Sequence, residues 1–380
     1  MKILHLCNDF AGSTVHAELY QRLDTLDVTQ FVYCPIRDAK LQGRNFFNGE
    51  NTRIIYSNIL KLHHRLCFHL KINDILKDLE QKVNLAEVDC VHATTLFSDG
   101  AVALRLKRKY GIPYIVAVRN TDLNAFMRYA PHLWNVHRAV VREAEKVIFI
   151  SPNLQNRFLT HHTLRGLTDL AKQKSMVLPN GINDFWLNHL HVDKSENFHP
   201  FSVIYVGKFD DNKNVLRLLR AFLKLKEKYP NHPFHFDLVG GDGEQESAVL
   251  QLVAQNPDCL KYHGKIFDKS LLMEMYQRNS IFAMVSKRET FGLVYIEALS
   301  QGLRVLFTRG EGIDGLFTKR IGEAVNAYSE DEISAGLEKM LLHPEAYEKL
   351  QLADFNEFDW DKISQTYYKI YQFIICNIKN

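Results

Sequence analysis

Two glutamates, Glu289 and Glu297, bracket the stretch of this 380-residue chain whose residue types could act together on a ligand. Ahead of them runs Ile281–Val285, a short apolar segment that reads as a buried strand. Glu289-Thr290-Phe291-Gly292 then makes a turn, and Leu293–Ser300 carries an apolar helical period. A strand, a glycine turn and a helix place unpaired backbone N–H groups where they attract an anion. Glu289 falls in the loop before that helix start, and Glu297 lies about one and a half turns inside it. A diphosphate at the helix start would therefore have a carboxylate on either side. Carboxylates repel phosphate, so their partners must be hydroxyl groups, which sugars supply. Diphosphate beside sugar hydroxyls is the outline of a nucleotide-sugar site. An ordinary strand–helix turn with two surface glutamates has the same spacing, so other positions must decide.

The segment from Glu289 through Phe291-Gly292 and Glu297 to Ala298-Leu299-Ser300-Gln301-Gly302 resembles the E-x7-E signature of retaining GT-B glycosyltransferases, the large family four in particular. The resemblance implies that Glu289 touches the donor sugar and Glu297 holds the ribose hydroxyls. It also implies that the backbone amides across Thr290, Phe291, Gly292, Leu293 and Val294 bind the diphosphate. Ser202–Gly207, followed by Lys208 and by Lys213-Asn214, is similar to the family's VGR…KN element, which supplies two cations to that diphosphate. Lys208 replaces the usual arginine, keeping the charge and losing the bidentate fork, while Lys213 holds the expected lysine place. Two idle, solvated lysines are the alternative. FDLVGGDG, 236–243, is similar to the family's GxG step and brings in Gly241. Tyr262–Ile266 resembles the segment whose backbone pairs with the nucleobase, with Ile266 against the ring.

Lys2–Cys7 alternates as a first strand, and Asn8–Ser13 is a loop feeding a helix from about Thr14. One glycine, Gly12, is not the three-glycine dinucleotide fingerprint, which disfavours a nicotinamide enzyme. In the resembled family this loop borders the acceptor pocket, and Gly12-Ser13 stands where two adjacent glycines are common. Further strand-like runs fall at Gln30–Cys34, Arg53–Tyr56, Asp89–Ala93, Pro113–Val118 and Lys146–Ile150, with helical patterns such as Ser98–Tyr110 and His132–Glu145 between. Such alternation predicts a parallel sheet covered on both faces, whose ligands lie beyond the carboxyl ends of the strands. Those ends carry Asn8-Asp9, His92 and Arg119-Asn120-Thr121-Asp122. Where the family commonly places a histidine near the reacting sugar, this chain has Arg119. A guanidinium cannot serve as a base near neutral pH, but it can clamp a phosphate or carboxylate. Arg119 is expected to act electrostatically or on the acceptor, with Asn120, Asp122 and His92 beside it; a structural ion pair, and a satisfied core histidine, are the plain alternatives.

The segment from Asn51 to Asn73 holds no acidic residue, while Arg53, Lys61, Arg65 and Lys71 are basic. Ile59, Leu62, Leu66 and Leu70 lie at helical spacing, with His63, His64 and His69 off that stripe. A basic amphipathic helix lies on an anionic membrane surface or turns its stripe to the core; both remain open. Residues 1–195 hold 25 Lys+Arg against 18 Asp+Glu, and the remainder 22 against 26, so the first half is net +7 and the second −4. The basic half, with its cluster Arg105, Lys107, Arg108 and Lys109, is expected to face something anionic, though a solvated charged face reads the same. Six cysteines without CxxC spacing read as reduced thiols. No apolar run approaches the ~20 residues that span a bilayer, and the start lacks a signal-peptide core. A cytoplasmic protein, peripheral at the inner face of the membrane if the basic helix docks, is expected.

Leu178-Pro179-Asn180-Gly181-Ile182-Asn183 resembles the family's interdomain crossing, and His189–Pro200 reads as a linker. The fold class expected is α/β of GT-B type: two Rossmann-like domains facing across a cleft, 1–185 on the acceptor side and 198–358 on the nucleotide-sugar side. A C-terminal helix, 359–380, crosses back to the first. Asp359-Trp360-Asp361 spells the DxD of metal-dependent transferases but precedes an apolar periodic tail, so Asp359 reads as a helix N-cap. No metal and no cofactor is expected, because Lys208, Lys213 and the helix start at Gly292 would stabilise the leaving diphosphate. The expected partners are a nucleotide sugar and a glycan or lipid-linked acceptor, not nucleic acid. Transfer of a sugar with retention, in cell-surface polysaccharide or glycan synthesis, is the reading. A non-hydrolysing sugar-nucleotide epimerase and a catalytically silent sugar-nucleotide-binding subunit are the alternatives.

Overall fold

The structure, a computed structural model, describes residues 1–192 and 201–379. It divides into two compact units, Met1–Gly181 with Trp360–Asn380, and Ile182–Asp359. The first holds seven strands: β1 (Lys2–Leu6), β2 (Thr29–Pro35), β3 (Thr52–Ser57), β4 (Cys90–Ala93), β5 (Tyr114–Val118), β6 (Lys146–Phe149) and β7 (Ser175–Val177). They form one parallel sheet in the order β3-β2-β1-β4-β5-β6-β7. Its helices are α1 (Thr14–Asp24), α2 (Phe68–Lys82), α3 (Ser98–Tyr110), α4 (Trp134–Glu143), α5 (Pro152–Leu159) and α6 (Thr168–Lys174). The order reverses at β1 and β4, so the loops after these strands flank the crevice where parallel sheets bind ligands. Those loops are Cys7–Ser13 and Thr94–Phe97.

The second unit opens with α7 (Asp184–Asn188). It continues through β8 (Ser202–Lys208), α8 (Val215–Lys228), β9 (His235–Gly241), α9 (Glu246–Gln255), β10 (Leu260–Tyr262), α10 (Lys269–Arg278) and β11 (Ile281–Ala283). It ends with α11 (Leu293–Ser300), β12 (Arg304–Thr308), β13 (Gly322–Val325) and α12 (Glu330–Leu342). The parallel sheet runs β10-β9-β8-β11-β12-β13, with its reversal between β8 and β11. Lys208 ends β8, and the chain leaving β11 carries Glu289, so both fall at that reversal. Of the linker expected over His189–Pro200, residues 193–200 lie outside the described residues, while the His191 N–H donates to Ser300 O at 2.8 Å.

The last helix, α13 (Trp360–Lys379), belongs to the first unit. Trp360, Ile363, Tyr367, Tyr371 and Ile374 are buried in one cluster with Leu19, Tyr20 and Leu23 of α1 and with Ile3 and Val32 of the sheet. Burying such side chains contributes about 1.5–3 kcal/mol each, which ties the end of the chain to its beginning.

The helix expected to carry Ile59, Leu62, Leu66 and Leu70 is not one helix. A short 3-10 turn covers Leu62–Arg65, and α2 starts only at Phe68. His64 sets the break: its buried ring accepts the Lys61 N–H through Nδ1 at 3.1 Å and meets Asp74 Oδ2 through Nε2 at 3.1 Å. The buried stripe of α2 is then Phe68, Ile72, Ile75 and Leu79, which rotates Leu70 outward. Leu62, Leu66 and Leu70 are 72%, 87% and 44% exposed, so the core-facing alternative for this stripe is overturned. Lys71 turns inward, donating to Ser98 Oγ at 2.8 Å. The basic cluster on α3 is mostly paired: Lys107 with Glu145, Arg108 with Glu143 and Lys109 with Glu80.

Candidate active site

The second unit gathers its polar groups where β8, β9 and β11 end. Gly240 keeps β9 against β8, because a Cβ there would lie 1.8 Å from the Gly207 carbonyl oxygen, and its φ of +134 suits glycine alone. Gly207 and Gly241 fall in the same pairing, Gly207 opposite Gly240 and Lys208 opposite Gly241. The Lys208 side chain is exposed and, among the described residues, has no hydrogen-bond or ion-pair partner. Lys213 reaches across instead, and its Nζ lies 2.7 Å from Glu289 Oε2.

Glu289 is fixed from several sides. Its Oε2 lies 3.2 Å from Ser286 Oγ, and its Oε1 accepts the Thr290 N–H at 3.1 Å. The Glu289 N–H donates to Glu311 Oε2, and its carbonyl accepts from Gly312 N at 3.0 Å. The side chain is thus held at the loop's tip, its charge balanced by Lys213. After it the backbone turns through Gly292, at φ +77, where a Cβ would meet the Tyr295 ring at 2.5 Å. That turn leaves the amides of Phe291, Gly292, Leu293 and Val294 without an acceptor among the described residues. Four successive donors without a partner at a helix start are an arrangement that suits an anion. Phe291 is buried against Phe358, ring centroids 6.3 Å apart, which stiffens the turn.

Glu297 lies in α11 on the Trp186 side. Burial pushes its carboxyl up to about 7, opposed by Lys269 and by a hydrogen bond from Trp186. Its charge also reaches buried Tyr276, whose ring packs 5.6 Å from Trp186. Ile266 is half-buried in the loop after β10. That loop is tied to β9, since Gly240 N donates to Gly264 O at 2.8 Å and His263 N to Leu238 O at 2.9 Å. Phe267, beside Ile266, is 87% exposed and was not singled out from the sequence. Its signal was there: an apolar pair, Ile266-Phe267, between charged Lys265 and Asp268, with nothing in the strand–helix pattern to cover it.

The candidates from the first half gather around the loops after β1, β4 and β5. Gly12 and Ser13 both donate their N–H to Asp9 O, at 2.9 and 3.0 Å, so the first loop is a tight turn. Asp122 is buried and accepts from Arg119 N, Leu96 N and Phe97 N at 2.8, 3.1 and 3.3 Å, clamping the β4 loop to the β5 loop. Burial raises its carboxyl to about 6 against the pull of those amides. Arg119 is half-buried and donates Nε–H to Thr94 O at 3.1 Å. Asn120 is buried, 3.5 Å from an Arg157 donor. His92 is 2% exposed, and its Nδ1 lies 2.8 Å from Tyr371 Oη, a place in the core of the unit.

Among the described residues one side-chain group has metal-ligand types in reach of one another, His63, His64 and Asp74. His64 Nδ1 accepts a backbone N–H, so the neutral ring carries its proton on Nε2, and that proton points at Asp74. A metal ligand needs a free lone pair, and the Nδ1 lone pair of His64 is already taken by the Lys61 N–H. The group fits a hydrogen-bonded clasp between the 3-10 turn and α2. Asp361 of the formal DxD is engaged by Arg22 Nε at 2.9 Å.

Family models match both units, each over most of its length. The family model "Glycosyl transferases group 1" matches residues 191–353, and "Glycosyltransferase Family 4" matches 12–184. An uncharacterized glycosyltransferase of Methanocaldococcus jannaschii is 23% identical over 316 residues, covering 80% of this chain and 76% of that protein. The N-acetyl-alpha-D-glucosaminyl L-malate synthase of Bacillus anthracis is 22% identical over 324 residues, covering 82% and 81%. Among solved structures, sucrose-phosphate synthase from Thermosynechococcus elongatus superposes with a TM-score of 0.72 at 17% identity, over 99% of this chain and 100% of that one. A lipopolysaccharide outer core galactosyltransferase in its apo form gives 0.73 at 15%, over 98% and 99%. At such identities the structures speak for the fold alone.

Proposed function

The chain belongs to the group 1 glycosyltransferases of GT-B fold, and on that premise we propose that it moves a sugar from a nucleoside diphosphate to an acceptor hydroxyl with retention at the anomeric carbon. The setting proposed is cell-surface polysaccharide or glycan synthesis. The observation that carries the donor half is the row of unpaired amides from Phe291 to Val294, with Lys208 and Lys213 at the same sheet reversal. Such a row suits a diphosphate, whose negative charge grows as the bond to the sugar breaks. Glu289 orients the sugar, Glu297 accepts from the ribose hydroxyls, and Ile266 with Phe267 offers the nucleobase an apolar face.

In this reading the bond between the anomeric carbon and the diphosphate oxygen breaks as the acceptor oxygen bonds to that carbon on the same face. The acceptor proton passes to the departing phosphate oxygen, so no protein base is needed. The charge is stabilised by Lys208, Lys213 and the α11 amides, with no metal proposed. Lys213 is paired with Glu289 before donor arrives. Diphosphate would draw the ammonium away and release Glu289 for the sugar hydroxyls. Lys213→Ala should therefore lower turnover on a panel of nucleotide sugars, in buffer with excess chelator, by about ten- to a hundredfold. Unchanged turnover would overturn the assignment of this corner to the diphosphate, and loss of wild-type activity in chelator would overturn metal independence.

The acceptor falls to the first unit, and the exposed leucines favour one presented at a membrane. Leu62, Leu66 and Leu70 stand out of the surface beside exposed Lys61 and Arg65. Arg37, Lys40 and Arg44, also exposed, come from the adjacent loop after β2, joined to the 58–67 segment through Leu60 N and Ile36 O at 3.1 Å. Apolar side chains ringed by basic ones suit the interface of an anionic leaflet, where each basic residue adds about 1 kcal/mol. No helix among the described residues is long and apolar enough to cross a membrane, so the association proposed is peripheral.

A further inference from the structure

We propose that Glu311 is a positioning residue for Glu289, keeping that carboxylate on the donor sugar once Lys213 has left it for the diphosphate; this rests on the glycosyl-transfer reading above. Glu311 and Gly312 lie in the turn that leaves β12, the strand paired beside β11 in the sheet. The two loops run side by side, and the second grips the backbone of the first.

The grip falls on both sides of the Glu289 Cα. Its N–H donates to Glu311 Oε2 at 3.0 Å, and its carbonyl accepts the Gly312 N–H at 3.0 Å. A third tie, from Thr308 Oγ1 to Ser286 O at 2.7 Å, joins the loops where they leave their strands. Gly312 stands at φ +56, and a Cβ there would lie 3.1 Å from Glu289 Cγ and 3.2 Å from Phe291 O, so only glycine comes this close. The gripping turn is itself braced. Glu311 N donates to Thr308 O and Asp314 N to Glu311 O, each at 3.1 Å, and Gly310 N donates to Asp314 Oδ2 at 2.6 Å. Buried Ile313 anchors it to the unit.

The need for such a grip follows from the ion pair. Lys213 Nζ lies 2.7 Å from Glu289 Oε2, and this is the ammonium that the diphosphate would draw away. The contacts of the same carboxylate with Ser286 Oγ and the Thr290 N–H, at 3.2 and 3.1 Å, are neutral and longer. A backbone held on either side of the Cα still fixes the direction in which the side chain leaves. Glu311 is a costly acceptor for this task, because it adds a second carboxylate beside Glu289 and the anion site. Its bond to an amide is also roughly twice as strong as one to a neutral acceptor, which suits a grip that must outlast the ion pair. A displacement of about 1 Å at a reacting centre costs on the order of a hundredfold in rate.

The test compares Glu311→Ala and Glu311→Gln with the wild type, all as the full chain. Hydrogen–deuterium exchange resolved at the Glu289 amide, without ligand, should be about tenfold faster or more in Glu311→Ala and near wild type in Glu311→Gln, whose side-chain oxygen still accepts. With the nucleotide sugar that gives the largest thermal shift, Glu311→Ala should lose about ten- to a hundredfold in kcat, while its affinity for the matching nucleoside diphosphate stays within about threefold, because the amides that follow Gly292 bind that group. Glu311→Gln should recover most of the kcat. Unchanged exchange or unchanged kcat in Glu311→Ala overturns the proposal. So does an equal loss of turnover and of nucleoside-diphosphate affinity, which would show a collapsed loop, or a Glu311→Gln variant no better than Glu311→Ala. If the wild type turns over no nucleotide sugar, the transfer reading fails instead, and exchange at the Glu289 amide alone decides whether Glu311 holds it.

Discussion

Replacing Glu297 by glutamine should stabilise the free protein and disable it for donor, with both effects depending on pH. Burial lifts this carboxyl from its ordinary 4.5 to about 7. The folded protein therefore binds more protons than the unfolded chain between those values. Stability contributed by the protonated group is complete below about 4.5 and is lost as pH rises through about 7. The lift corresponds to about 3 kcal/mol at most, which for a unit of this size is roughly 6–12 °C in Tm. Glutamine keeps the shape and cannot ionise, so the gain of the variant over wild type should be small at pH 5 and near its full value at pH 8. Ribose hydroxyls repay the buried charge only when it is ionised, so wild-type donor affinity should fall as pH drops below about 7. The variant should lose about ten- to a hundredfold at pH 8. Differential scanning fluorimetry at both pH values, with and without nucleoside diphosphate sugar, reads all of this. An equal Tm change at pH 5 and pH 8, or undiminished donor binding, would refute the reasoning.

Gly292→Ala should lower donor affinity more than it lowers stability elsewhere in the unit, because φ +77 and the Tyr295 ring at 2.5 Å leave no room for a methyl group. A strain of about 1–3 kcal/mol should appear as loss of the nucleoside-diphosphate thermal shift, and an unaltered shift would mean that the turn does not shape the anion site. For the membrane, Leu62→Asn/Leu66→Asn/Leu70→Asn and Lys61→Glu/Arg65→Glu should each reduce flotation with anionic liposomes at low salt. Wild-type protein that stays unbound at low salt would end that proposal.

The sequence carried the architecture well where periodicity was long. α3 and α11 were legible to the residue, Ser98–Tyr110 and Leu293–Ser300, and most strands of the first unit to within a residue or two. β7 has only three residues and β12 is an unpatterned apolar run, so neither announced itself. Leu62, Leu66 and Leu70 misled for a physical reason. Spacing cannot reveal that a buried histidine breaks the helix and resets its phase to Phe68. The donor signature named Glu289 and Lys213 separately, but their ion pair spans 76 positions and arises only from the parallel order of β8 and β11. Trp186 beside Glu297, and Lys71 over Ser98, are likewise products of folding rather than of local pattern.

The central claim is retaining transfer from a nucleotide sugar, and its most direct measurement is proton NMR of the first-formed product in a reaction with donor and a hydroxyl acceptor. The account predicts release of nucleoside diphosphate that depends on acceptor, and a new glycosidic anomeric signal of the same configuration as the donor. An inverted anomer would contradict the one-face reaction. Donor that is bound and returned unchanged, or epimerised without acceptor, would contradict glycosyl transfer itself.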